Sequence, residues 1–394
     1  MGSESPGKPG RSSQESRSSW RQTQSEMGEA RRLGYRPALD GVRGIAIAIV
    51  VSFHAFGWPA AGTLGVDLFF VLSGFLITTL LLEEHARSGR IGIRAFYLRR
   101  ARRLLPALFA LLMPFLLIAL AAVVFRGSSP SALFLGLGAA LTYTSNIVVA
   151  ADPSAVPAAL IHLWSLGAEE QFYIVWPLLL VVLMRRGGIR FVGRVLGALL
   201  VLAIVYRLQL LLRGASIERL YYGPDTHADS LLVGCAFGCY FVRGRLPWII
   251  ASERARKVSI SVSLVAVIVA AVLLGHVPAR LAYETQLVPT AFALAAGVFI
   301  TCAVLGGSAV ASAVSVRPLV FLGRISYSVY LWHLPLLVAF AGLNREFGLS
   351  TIAAVVAAVV VATGSRYLIE LPFLARAREA TAKPGRTAPA IAAA

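Results

Sequence analysis

Eleven apolar stretches fill most of the chain between Arg36 and Arg376, near residues 42–60, 64–82, 105–125, 131–150, 170–184, 191–212, 229–242, 257–275, 287–305, 318–340 and 350–369. Several approach twenty residues, the length a helix needs to cross the hydrocarbon core of a bilayer. In hydrocarbon each segment must satisfy its own backbone groups, so helices are the expected form. With 57% of residues hydrophobic and 14% charged, the chain is excluded from the soluble globular enzymes. The fold class that follows is all-α, a polytopic bundle of membrane-spanning helices.

A net charge of +18 would suit a nucleic-acid partner, but its layout argues against one. Lysine occurs only at Lys8, Lys257 and Lys383, and arginine carries the charge in clusters beside the apolar runs. That is the positive-inside pattern of a membrane protein. The segment 83–104 holds seven arginines (87, 90, 94, 99, 100, 102 and 103), whereas 127–184 holds no Lys or Arg at all. Arg185, Arg186 and Arg190 then arrive together, so only one crossing fits between 127 and 184. The expectation is ten spans in the plasma membrane with both termini cytoplasmic, 170–184 being the crossing and 131–150 re-entrant or interfacial.

Residues 1–34 are polar and Arg-rich and are expected to form a disordered cytoplasmic tail, as are residues 377–394. The membrane domain is placed at 35–376. Cys235, Cys239 and Cys302 lie in apolar runs with no metal-ligand spacing and read as packing residues, so no metal is expected. No repeat is evident, which disfavours the inverted-repeat transporter folds.

Ionisable residues inside such runs are costly to bury and mark function unless they reach an interface. Arg43 and His54 share the first run. On a straight helix they stand about 16 Å apart. Arg43 reads equally as an anchor; His54, set inside the run, does not. Asp67 opens the second run, and a short turn with Pro59 and Gly62 would bring it to His54. There it could fix the imidazole, or merely cap its own helix.

FYLRRARRLLPAL places Arg99, Arg100, Arg102 and Arg103 before the third span, a guanidinium cluster suited either to phosphate oxygens or to lipid headgroups. HLWSLGAEEQFYIVWP opens a span with Ser165 as a potential N-cap and Glu169 and Glu170 in the favourable field of the helix N-terminus. RISYSVYLWHLPLL adds His333, which could equally be an interfacial residue beside Trp332, and YLIELPF adds Glu370 at the inner end of the last span. The topology puts His54, Asp67 and Glu169 or Glu170 at one outer level, as one intramembrane site.

In this order, Arg43-x10-His54, GVDLFFVLSGFLIT, the RRARR cluster, HLWSLGAEEQFYIVWP, SYSVYLWHLP and IELPF resemble family 3 of the integral membrane acyltransferases over roughly residues 35–376. The resemblance implies transfer of an acyl group, often acetyl, from cytoplasmic acyl-CoA to a sugar hydroxyl of an envelope glycan, glycolipid or macrolide. It implies no permanently bound cofactor. The family's Arg-x10-His element falls on Arg43 and His54, its Arg-x-x-Arg element on Arg99/Arg102 or Arg100/Arg103, and its Ser-x-x-x-Glu element on Ser165 and Glu169. Some relatives append an esterase-like domain after an extra helix; the short stretch after the last apolar run leads to the expectation that no second domain acts here.

The expected partners are the bilayer, acyl-CoA and a carbohydrate acceptor. The expected catalytic groups are His54 as base or acyl carrier, with Asp67, Glu169 and Glu170 around it. Arg43, Arg99, Arg100, Arg102, Arg103, Ser165 and His333 are expected to bind substrate. The rival reading is a proton-coupled transporter or flippase using the same His and carboxylates; a lipid-organising scaffold would leave His54 without a role.

Overall fold

The computed structural model describes residues 33–126, 130–244, 287–305, 309–342 and 347–375, with scattered positions between 261 and 275. The expected tails, and most of the expected span at 257–275, lie outside the described residues. Among the described residues all regular structure is helical. Five helical stretches are long and apolar enough to cross a membrane: Pro37–Phe56, Leu64–Ser88, Ile93–Phe125, Ala158–Leu212 and Leu349–Ala375. The protein is a helical membrane protein.

In chain order the helices are α1 (Pro37–Phe56), α2 (Leu64–Ser88), α3 (Ile93–Arg126), α4 (Ser131–Leu141), α5 (Ser145–Ala151), α6 (Leu163–Leu212), α7 (Ile217–Tyr222), α8 (Ala228–Val242), α9 (Leu287–Val304), α10 (Ala309–Val314), α11 (Arg317–Arg324), α12 (Ser326–Ala341) and α13 (Leu349–Gly364). A π-helical turn, Ser365–Glu370, extends α13. Helix α1 has Pro37 in its first turn and stops at Gly57, whose φ of 69° is the left-handed conformation that ends helices. Helix α6 is two arms in one: Gly187 and Gly188 leave helical geometry, and Gly188 has φ 64° and ψ −168°. The break falls between the arginines that separated the expected runs 170–184 and 191–212.

Two sequence expectations change form. The basic stretch 83–104 is hardly a loop, because α2 runs to Ser88 and α3 starts at Ile93. The arginines of RRARR are helical residues a turn and more into α3, ahead of its apolar stretch as expected. The stretch 131–150 divides into α4 and α5 around Thr142–Thr144, where Tyr143 has φ 56°. Eleven residues of helix reach about 16 Å, roughly half a bilayer core.

The main core packs α1, α2, α6, α8 and α9 around Trp176, Phe75, Leu72, Leu180 and Val233. Helices α2 and α8 cross closely because each offers glycine to the other's backbone. A Cβ on Gly74 would sit 2.1 Å from the Leu231 carbonyl oxygen, and one on Gly234 would sit 2.1 Å from that of Val71. Small residues at a crossing are the usual route to tight packing in membranes. Gly234→Ala should cost about 1–3 kcal/mol through forced separation of the pair. Gly193→Ala, whose new Cβ meets nothing within 4 Å, should leave the melting temperature unchanged or raise it. Thermal unfolding of the two variants in one detergent compares them directly.

Candidate functional site

The last turn of α1 carries His54, half-buried, with Nδ1 2.8 Å from the Val50 carbonyl oxygen. A carbonyl only accepts, so in the neutral ring Nδ1 donates and the lone pair lies on Nε2. His54 packs against His333 of α12, ring centroids 5.2 Å apart, and His333 packs against His162 at 5.1 Å. Tyr330, one turn before His333, touches both of the buried imidazoles. Its hydroxyl donates to the His162 carbonyl and meets Ser165 Oγ, both at 2.5 Å. Ser165 is therefore not the N-cap expected of it: the helix starts at Leu163, its N-cap position is His162, and no side chain caps it.

One turn below Ser165 on the same face of α6 is Glu169. Its carboxylate accepts from Ser73 of α2 and, at 2.9 Å, from the Tyr173 hydroxyl. Glu170 is clamped by Arg100: Nε donates to Oε1 at 2.8 Å and to Oε2 at 3.0 Å, and a terminal nitrogen closes the fork. The Arg100 guanidinium also lies 3.3 Å over the Tyr173 ring and 3.9 Å from Glu169. The two carboxylates thus sit in the second turn of their helix, level with Ser73 and Arg100. They are not at its N-terminal end, where the macrodipole acts, and not at the outer level with Asp67. A fork of charge-assisted bonds from Arg100 holds Glu170 there instead, and the Ser73 and Tyr173 hydroxyls hold Glu169.

Helical geometry also divides the four clustered arginines. At about 100° per residue, only positions three or four apart share a face. Arg100 and Arg103 face the bundle, whereas Arg99 and Arg102 are exposed, Arg99 lying 3.8 Å from Glu84. A single four-guanidinium patch does not form. A different grouping does: Arg103 lies within electrostatic reach of Arg100 on its own helix and of Arg43, Arg366 and Glu370 on two further helical elements. Arg43 Nη1 is 3.2 Å from Asp40, and Arg366 Nη1 donates to Glu370 at 2.7 Å. Glu370, 1% exposed, also accepts from Ser328.

Asp67 departs from its expected partner. Gly65 packs against Val50 and Ile49 of α1. Two residues further on, about 200° around the helix, Asp67 faces α8. There it accepts from Ser230 at 2.7 Å and pairs with His227 Nδ1 at 3.2 Å. Trp164 and Phe70 enclose that pair. The loop that delivers His227 is stapled by Arg219 and Asp225. Partial burial would raise the Asp225 carboxyl, but the hydrogen bonds and charge of Arg219 outweigh it and hold the group below its ordinary range. The His54 ring is oriented by the Val50 carbonyl rather than by the carboxylate expected there. Among the described residues no group of three or more His, Cys, Asp or Glu side chains is placed to hold a metal ion.

A family model described as an acyltransferase domain matches residues 36–370. The chain belongs to this acyltransferase family. It is 34% identical over 322 residues to the putative peptidoglycan O-acetyltransferase YrhL of Bacillus subtilis, covering 77% of this chain and 49% of that protein. It is 31% identical over 314 residues to the peptidoglycan O-acetyltransferase OatA of Listeria monocytogenes, with shares of 77% and 49%. The O-acetyltransferase OatA of Staphylococcus aureus is 30% identical over 313 residues, with shares of 77% and 51%. The chain spans about half the length of these curated relatives. No solved structure matches.

Within the acyltransferase domain, sequence reasoning passed over His162, Tyr330, Tyr173, Arg366 and His227. His162, Tyr173 and Tyr330 stood inside quoted motifs. Tyr330 and His333, three apart on one helix, were a legible pair. Arg366 and Glu370 were legible too, as an i,i+4 ion pair. His227 carried no local signal, because Asp67 lies 160 residues away from it.

Proposed function

We propose that this chain is a membrane-embedded O-acyltransferase that moves an acyl group, probed first as acetyl, from acyl-CoA to a hydroxyl of a cell-wall glycan. The observation that supports this most is a polar seam through an apolar bundle. It runs from Arg43, Arg103 and Arg366 past Arg100, Glu170, Glu169, Ser73 and Tyr173 to Ser165, Tyr330, His333 and His54. One end suits phosphates and the other presents an imidazole. The glycan acceptor is carried over from the printed names of the relatives. In this reading the bundle crosses the plasma membrane ten times with both termini cytoplasmic, and α4 with α5 forms a re-entrant segment.

Arg103, with Arg43 and Arg366, holds the donor's phosphates at the cytoplasmic end through charge-assisted bonds. Arg100 is committed to Glu170 and Tyr173, so it shapes the passage instead of binding phosphate. His54 Nε2 takes the proton of the acceptor hydroxyl as the oxygen bonds to the thioester carbonyl carbon. The carbon–sulfur bond then breaks, and the proton leaves on the thiol.

Radiolabelled acetyl-CoA and purified glycan strands, given to the full chain in nanodiscs, test the proposal. Labelled ester on the glycan supports it; movement of unmodified glycolipid without use of acetyl-CoA would establish the transporter reading instead. The two neighbours on α3 sharpen the test. Arg103→Ala should raise KM for acetyl-CoA about 10–100-fold, the loss of one charged contact worth about 1.5–3 kcal/mol. Arg102→Ala, on the exposed face, should change it less than about threefold. Equal effects of the two would refute the assignment of the phosphate end.

A further inference from the structure

Among the described residues Tyr143, in the turn between α4 and α5, is the one residue other than glycine in the left-handed region, with φ 56°. A bulky side chain is strained there, and such a residue persists where its surroundings fix it. Three neighbours do so here. Gln171 Nε2 donates to the Tyr143 carbonyl at 2.8 Å. A carbonyl only accepts, so this contact settles which way the amide points. Gln171 Nε2 also donates to Asn146 Oδ1 at 2.9 Å, and the fully buried Asn146 donates back from Nδ2 to Gln171 Oε1 at 3.1 Å. Gly167 lets the turn sit directly on α6, because a Cβ there would stand 3.0 Å from the Tyr143 carbonyl oxygen and 2.9 Å from Asn146 Oδ1.

Gly167, Glu170 and Gln171 share one face of α6, so the turn they hold lies on the Glu170 side of that helix. The Tyr143 ring packs on the apolar cluster of α3, α4, α6 and α12, within electrostatic reach of Glu170 and Arg100. The nearby hydroxyls are spent on the protein: Tyr327 donates to the Leu104 carbonyl at 2.9 Å, and Tyr173 donates to Glu169. The Tyr143 hydroxyl makes no hydrogen bond among the described residues and keeps accessible surface.

We propose that the Tyr143 hydroxyl binds the pantetheine arm of the donor, donating a hydrogen bond to one of its amide carbonyls. Gln171 and Asn146 are positioning residues that hold it there. This rests on the acyl-transfer reading above, in which the phosphates lie by Arg43, Arg103 and Arg366 and the thioester lies by His54. The arm between them must pass the level of Arg100 and Glu170, which are committed to each other. A phenol meets an amide carbonyl at that level without adding charge to an apolar bundle.

Coenzyme A and adenosine 3′,5′-bisphosphate separate the arm from the phosphates, because the second ligand has no arm. Titration calorimetry of each against the purified full chain needs no turnover. Tyr143→Phe should weaken coenzyme A about 3–10-fold, the loss of one neutral hydrogen bond, and leave the bisphosphate unchanged. Arg103→Ala should weaken both. During turnover Tyr143→Phe should raise KM for acetyl-CoA by the same factor, with kcat changed less than about twofold. Ring and backbone persist in this variant, so its melting temperature should match wild type. Gln171→Ala should reproduce the selective loss, and combined with Tyr143→Phe it should add little, since both act through one contact.

A folded Tyr143→Phe that binds coenzyme A as tightly as wild type, or weakens both ligands equally, would overturn the contact. A wild-type protein that binds coenzyme A with this dependence on Tyr143 but transfers no acetyl group would defeat the acyl-transfer reading and leave the contact standing. One that binds neither ligand would remove both.

Discussion

Arg207→Ala should cost this protein about 3–5 kcal/mol of stability, the penalty for stranding a buried charge. Arg207 is 2% exposed, in the second arm of α6. Its Nη1 donates to the Thr226 carbonyl at 2.9 Å and to Asp229 Oδ1 at 3.2 Å; its Nη2 donates to Asp229 Oδ2 at 2.8 Å and to Thr290 at 2.6 Å. Thr290 in turn donates to Asp229, so α6, α8 and α9 are tied at one point. Removing the guanidinium leaves the Asp229 carboxylate in an apolar bundle with only hydroxyl help. The pair as a whole is a different matter, since two ions must be desolvated to make it. Arg207→Met with Asp229→Leu should therefore recover most of the lost stability. Unfolding in a graded mixture of mild and denaturing detergent would measure both variants. A single variant as stable as wild type would remove the lock from the account.

What the sequence made legible here was local. The first apolar run became one helix carrying both Arg43 and His54, because nothing between Pro37 and Phe56 breaks it. Arg185, Arg186 and Arg190 marked the break in α6, since cations collect where a chain leaves a membrane, and Gly187–Gly188 supplies the geometry. Rotation about a helix axis was harder to see. Four arginines in five positions read as one patch, yet only Arg100 and Arg103 turn inward. Asp67 lies close to His54 in sequence, but the face of α2 that meets α1 belongs to Gly65. Pairings between distant elements left no trace at all. Asp67 with His227, Arg207 with Thr290, and Arg100 with Glu170 each depend on which helices become neighbours, and 70 to 160 residues separate these partners. The resemblance to a family named residues as a set; it said nothing about which of them touch.

His54→Gln tests the chemistry more severely than any other single change. It should lower kcat by about 10²–10⁴-fold, because general base catalysis by an imidazole supplies that much and an amide supplies none. Little else should move. His54 is half-buried in the last turn of α1, just before the Gly57 cap, and its structural bond is to the Val50 carbonyl one turn back. A glutamine amide can donate to that same carbonyl, so thermal unfolding should stay close to wild type. KM for acetyl-CoA should also hold, since the proposed phosphate end of the seam is Arg43, Arg103 and Arg366, and Arg43 lies about eleven residues or 16 Å down the helix from His54. This split separates His54 from Arg43, whose loss should raise KM with less effect on kcat. Acid quenching during turnover then distinguishes the two roles an imidazole can play. A general base leaves no label on the protein, whereas an acyl carrier leaves a labelled peptide spanning His54 in wild type and none in His54→Gln. Full activity of a well-expressed His54→Gln protein would remove His54 from the reaction, and with it the reason to place the chemistry at the outer end of the seam.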